Sequence, residues 1–149
     1  MDGANFHINR INTPINFAGK MRRLRTEMNN MTRRMGKMAS EHVQHNFKVE
    51  GFVDKTVKRW PKKKRPNGKQ TLVDTGRMRA TTKMMFRSRN TVKLSTPVPY
   101  GGIHNREVGE MKQYSTGNYP GRKFMGHSKS LSEATKKMIV TRLNLAAQV

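Results

Sequence analysis

One apolar stripe between positions 17 and 38 restricts the fold of this chain more than any other feature. Phe17, Met21, Leu24, Met28, Met31, Met35 and Met38 follow one another at spacings of 4, 3, 4, 3, 4 and 3. That rhythm is one face of a helix. Beyond Met38 the stripe slides to Ala39, Val43 and Phe47. A helix from about 14 to 48 would be near 50 Å long at about 1.5 Å per residue. Thr13 fits its N-cap and Pro14 its first helical position. The seam suits either an intermolecular coiled coil or a helix laid across a sheet of its own domain. The second is favoured, because the seam is short and lacks flanking charge pairs of both signs.

The rest of the chain supplies little apolar material. Only 34% of the 149 residues are hydrophobic, and 12 of them are Met against 6 Phe and 1 Trp. Such a core is modest, and methionine adapts to irregular gaps and to neighbouring subunits. Charge is the opposite extreme. Lys and Arg number 31 and Asp and Glu 9, so the net charge is +22. A subunit so charged repels its own kind and attracts polyanions, with nucleic acid first and an acidic protein second. No cysteine is present, which removes disulfides and thiolate metal sites. No apolar run approaches a membrane span, and the N-terminus lacks a signal core. A cytoplasmic protein, or one built into a particle assembled in a cytoplasm, is the expectation.

Asn-Phe-His-Ile-Asn at 5–9 alternates weakly, as a short strand does. Residues 51–71 lose periodicity. Lys55, Lys58, Arg59, Lys62, Lys63, Lys64, Arg65 and Lys69 fall there, with Pro61, Pro66, Gly68 and a lone aromatic, Trp60. The segment reads as a basic loop, either merely solvated or facing a polyanion. A helical turn is expected at 76–80, strands at 83–87 and 91–95, and a short helix at 100–104. Residues 105–123 read as loop. A final helix opens on a capping box of Ser130 and Glu133, with Leu131, Ala134, Met138, Ile139 and Leu143 on one side. The order implies a single α+β domain over 1–149. Its small antiparallel sheet is covered by a long N-terminal and a C-terminal helix.

"LVDTGRMR" at 72–79 carries the Asp-Thr-Gly of an aspartic protease. Such an enzyme needs two aspartates sharing a proton, so Asp74 would have to meet its copy across a two-fold axis. Arg77 and Arg79 follow at once and favour the ionised form, which is the wrong setting for that dyad. The better reading is structural: Asp74 or Thr75 caps the turn, and Gly76 allows the tight entry. Of the five histidines, His42 and His45 share a helix face but lack a third ligand. No catalytic residue, metal or cofactor is expected.

Two further stretches follow "LVDTGRMRATTK" along the chain: "VKLSTPVPYGGIHN" and then "GRKFMGHSKSLSEATKKMIVTRL". In this order they resemble the phage virion morphogenesis proteins, or tail completion proteins, of Mu-like and P2-like tailed phages. The matching positions are Leu72, Asp74, Thr75, Gly76, Arg77, Arg79, Pro99, Tyr100, Ile103, His104, Phe124 and Gly126. Phe47 and Trp60 also fall where that family carries an aromatic ending the long helix and a tryptophan after it. Gly101 and Met125 depart mildly from the pattern.

The resemblance implies a structural protein of the neck or head-proximal tail, assembled in the host cytoplasm and carried in the virion. It implies a ring, taken here as six copies, that joins head and tail, contacts other neck, connector or tail proteins and surrounds double-stranded DNA. The basic segment from Lys55 to Lys69 is the DNA-facing candidate, on the charge of this sequence alone. A plain basic nucleic-acid-binding protein is the alternative and a homodimeric aspartic protease a remote one.

Overall fold

The computed structural model describes residues 16–64, 67–88, 91–114 and 117–148. Helix α1 spans Phe17–Lys48, and the Asn16 side chain caps it by accepting from Gly19 N at 2.8 Å. The cap of the described helix is Asn16. Asparagine is as good an acceptor for a free helix N–H as threonine, and it stands next to the first helical residue. Thr13, Pro14 and the strand expected at 5–9 lie outside the described residues.

Among the described residues the strands form three antiparallel hairpins, not one sheet. Gly51–Val53 (β1) pairs with Val57–Arg59 (β2). Lys83–Ser88 (β3) pairs with Thr91–Ser95 (β4), within a residue of the expected pair. Met111–Tyr114 (β5) pairs with Gly117–Pro120 (β6). Short helices α2 (Arg77–Thr81) and α3 (Gly101–His104) stand where the turn chemistry placed them. Helix α4 runs from Lys129 to Gln148. The fold is α+β, with the two expected helices and small antiparallel sheets.

Two segments read as loop contain hairpins. Within 51–71, β1 and β2 pair despite three cations and an acid in nine residues. Phe52 is buried and Asn46 accepts from Val53 N at 3.0 Å, so tertiary anchors replace the missing alternation. Within 105–123, the β5–β6 hairpin is held by Arg106. Its guanidinium donates to the Tyr119 carbonyl at 2.6 Å and lies 5.7 Å from the Tyr114 ring centroid.

The core gathers at the C-terminal end of α1, where Val43 and Phe47 meet Trp60, Met78, Val98 and Phe124. Phe47 packs edge-on to Trp60 with centroids 5.6 Å apart, and tilted against Phe124 at 5.2 Å. Polar side chains tie the strands of chain around it. Buried Asn46 donates to the Phe124 carbonyl at 3.1 Å, and Trp60 Nε1 donates to the Lys123 carbonyl at 2.8 Å. Asn105 Oδ1 accepts from both Phe124 N and Met125 N at 2.9 Å. Each bond satisfies a backbone group that no helix or ladder could reach.

Helix α4 returns antiparallel along α1. Ser130, Leu131 and Ala134 lie beside Met38, His42 and His45, while Arg142, Leu145 and Ala146 lie beside Arg22, Arg23 and Thr26. Its cap is Ser128 rather than Ser130: Ser128 Oγ accepts from Leu131 N at 3.2 Å. Lys129 N donates to Asp54 Oδ1 at 2.6 Å, which fixes the start of α4 two residues before the expected box. On another face of α1 the β3–β4 hairpin approaches Gly36. A Cβ there would stand 2.1 Å from Met84 Sδ and 3.0 Å from Val92 Cγ1, so any larger residue requires the Met84 side chain to move. Among the described residues no helix is long and apolar enough to cross a membrane.

A cationic cleft and an exposed basic face

The motif residues converge. Leu72, Asp74, Thr75, Gly76, Arg77, Tyr100 and His104 line one cleft of about 400 Å³, together with Lys63, Met78 and Arg122. Gly76, with φ of 72°, turns the chain from the 71–75 stretch into α2. Leu72 reaches the cleft wall with φ of 61°, a left-handed conformation that a branched side chain rarely adopts. The bond from Thr71 N to the Glu50 carboxylate holds that stretch in place. Backbone held in such a region concentrates at binding sites.

Asp74 does not cap α2. Its Oδ1 accepts from Asn67 Nδ2 at 2.9 Å and faces Lys69 Nζ at 3.5 Å, closing the loop between them. Gly76 is the N-cap of α2, without a side-chain cap bond, and Thr75 Oγ1 accepts from Arg77 N at 3.3 Å. The αL turn at Gly76 rotates Asp74 away from the helix axis, and a threonine one residue nearer reaches the free N–H.

Arg122 is the residue that the sequence did not single out as a site. It is only 7% exposed, and it donates from Nε to the Pro61 carbonyl at 2.9 Å and from Nη2 to the Lys62 carbonyl at 3.2 Å. The root of the basic segment is thus pinned by a buried guanidinium. Burial draws its pKa below the usual arginine value. Among the described residues the ion pairs are Arg34–Glu27, Lys37–Glu41, Lys69–Asp74, Arg106–Glu110 and Lys123–Glu107, so no carboxylate neutralises Arg122. The resemblance matched it to the basic residue ahead of Phe124, without giving it a site role.

His104 stands edge-on between Tyr100 and Tyr119, with centroids 6.3 and 6.0 Å away. Its Nδ1 is buried and has no hydrogen-bond partner. Burial first, then the Arg122 and Arg106 charges, hold its imidazole below the ordinary histidine value, so it is neutral at pH 7.

The remaining motif residues lie apart from the cleft. Phe124 is fully buried in the core. Arg79 is exposed on α2, where its carbonyl accepts from Gln44 Nε2 at 3.0 Å. Pro99 is exposed beside Tyr100, and Gly126 is exposed in the loop before α4.

The basic segment divides in two. Lys63 turns into the cleft and donates to Asn67 Oδ1 at 2.9 Å. Arg59 donates to the Val49 carbonyl, Lys58 acts on Glu107 through its charge, and Lys69 pairs with Asp74. The side chains of Lys55, Lys62 and Lys64 are exposed and have no partner among the described residues. Arg65 lies outside the described residues. Among the described residues no group of three or more His, Asp or Glu side chains is placed to hold a metal. No family model, curated protein or solved structure matches the chain.

Proposed function

We propose that this chain is a structural protein of a tailed-phage virion. It forms a ring at the neck or head-proximal end of the tail, joins head to tail and surrounds the DNA path. The observation that carries this reading is the ordered set of motifs from Leu72 to Gly126, which resembles the tail completion proteins. Its supports are physical. The seam of Phe17, Met21 and Met28 is 70, 50 and 62% exposed, which offers a subunit an apolar surface to meet. Lys55, Lys62 and Lys64 offer charge to a duplex without any sequence preference.

Analytical ultracentrifugation in high salt, with electron microscopy of the same sample, tests the ring. A closed oligomer without nucleic acid is expected, and a monomer under both methods would overturn the reading. The specific rival is a plain DNA-binding protein, favoured by the unpartnered lysines; it predicts that monomer together with tight DNA binding. Replacing Lys55, Lys62 and Lys64 by Ser should flatten the slope of log affinity against log salt by about 3 units, at about 0.9 per phosphate contact. An unchanged slope would remove these lysines from the DNA path.

A further inference from the structure

We propose that the cleft between Leu72, Arg77, Tyr100 and Arg122 is a docking site for a protein partner, receiving an aspartate or glutamate side chain with an apolar residue beside it. The first ground is charge. Lys63, Arg77 and Arg122 face a cleft whose one carboxylate, Asp74, is already held by Asn67 and Lys69. A buried charge is normally paired. The Arg122 guanidinium is buried, donates to the Pro61 and Lys62 carbonyls, and has no carboxylate partner among the described residues. No carboxylate among the described residues reaches it.

The second ground is shape. Leu72, Met78 and Tyr100 make part of the wall apolar, and His104 presents a ring that is neutral at pH 7. A phosphodiester has no apolar neighbour to match such a wall. In a duplex it is also carried on a stiff rod whose major groove alone is about 12 Å wide. A recess of about 400 Å³ holds one or two side chains, not the edge of such a rod. An acidic side chain on an extended peptide fits both the charge and the wall. The unpartnered lysines outside the cleft remain the surface suited to DNA.

The occupancy of this cleft does not depend on the ring, since a monomer would carry the same recess. The test uses the full chain and a fluorescent peptide of alternating Glu and Leu, followed by fluorescence anisotropy. Binding should saturate, fail with the Gln-for-Glu peptide, and shift the His104 imidazole signals in NMR at pH 7. Arg77→Gln, on an exposed side chain, should weaken it about tenfold, which corresponds to about 1.4 kcal/mol. Tyr100→Ala should weaken it as well, and Lys137→Gln, on α4 outside the cleft, should leave it unchanged. Arg122→Gln should abolish it, and a thermal melt separates that loss from unfolding. Equal binding of the Gln peptide, equal loss in Lys137→Gln, or no change in both Arg77→Gln and Tyr100→Ala would overturn the proposal. So would a duplex oligonucleotide that shifts the His104 signals and displaces the peptide, because the cleft would then be a nucleic-acid site.

Discussion

The two halves of α1 carry the same apolar rhythm and meet opposite surroundings. Met31, Val43 and Phe47 are buried, whereas Phe17, Met21 and Met28 stand largely in solvent. The difference is one of neighbours. The β3–β4 hairpin lies against the second half at Gly36, and β1 and the 121–126 strip close over its end. Among the described residues the first half has only the C-terminal turns of α4 beside it, along Arg22, Arg23 and Thr26. A periodic stripe therefore states which face of a helix is apolar, and the length of the partner elements decides how much of it is covered. The uncovered part is surface kept for another molecule or simply tolerated, and the following substitutions separate the halves.

The largest effect is expected at Phe47. Removing its fully buried ring should cost about 3–5 kcal/mol in a denaturant titration, while Phe17→Ala should stay within about 0.5 kcal/mol in the dissociated, monomeric subunit. An equal loss at both in the assembled protein would mean that the first half is covered in solution, as ring formation would require. Asn46→Ala comes next, at about 2–4 kcal/mol, because it strands the Phe124 carbonyl and Val53 N inside the core. Gly36→Val should follow at about 1–3 kcal/mol through overpacking against Met84 and Val92. A neutral Gly36→Val would show that the hairpin lifts from the helix freely.

Acidification offers a probe of the covered half, since between Phe17 and Glu41 α1 has no histidine. Burial, then the His45 charge, holds His42 below the ordinary value of 6.5, and His104 is lowered by burial and two arginines. Below pH 6.5 the unfolded chain takes up protons at these sites before the folded one does. Stability should therefore fall as pH drops from 6.5 towards the lower folded values. His42→Gln with His104→Gln should flatten that part of the pH profile measured by thermal unfolding. The smallest effect is expected at Asp74. Its carboxylate is largely exposed and caps nothing, so Asp74→Ala should cost no more than about 0.5 kcal/mol. A loss near 1 kcal/mol would restore the capping role.

The helices were legible because their signal is local. The spacing of Met21 to Met38 and the turn chemistry around Gly76 describe backbone geometry within a few residues, and α1, α2, β3 and β4 stand close to their expected bounds. The hairpins β1–β2 and β5–β6 were not legible, because nothing in 51–59 or 111–120 alternates. They exist because Asn46, Phe52 and Arg106 bond or pack across the chain. Of the cleft, the sequence held eight lining residues in two separate motifs, but not the fact that they meet or that Arg122 joins them.

What the sequence determined by itself is the inventory: a long amphipathic helix, a closing helix, a large positive surplus and a set of turn residues. Those follow from side-chain period and charge, which need no partner. Only the tertiary structure decided which half of the stripe is covered, which cap is used, and where the surplus charge is buried without an acid. Each of these depends on residues far apart in sequence: Asp54 meets Lys129, Asn46 meets Phe124, and Arg122 meets Pro61 and Lys62. Such pairings exist only once loops have closed, so no window along the chain contains both partners.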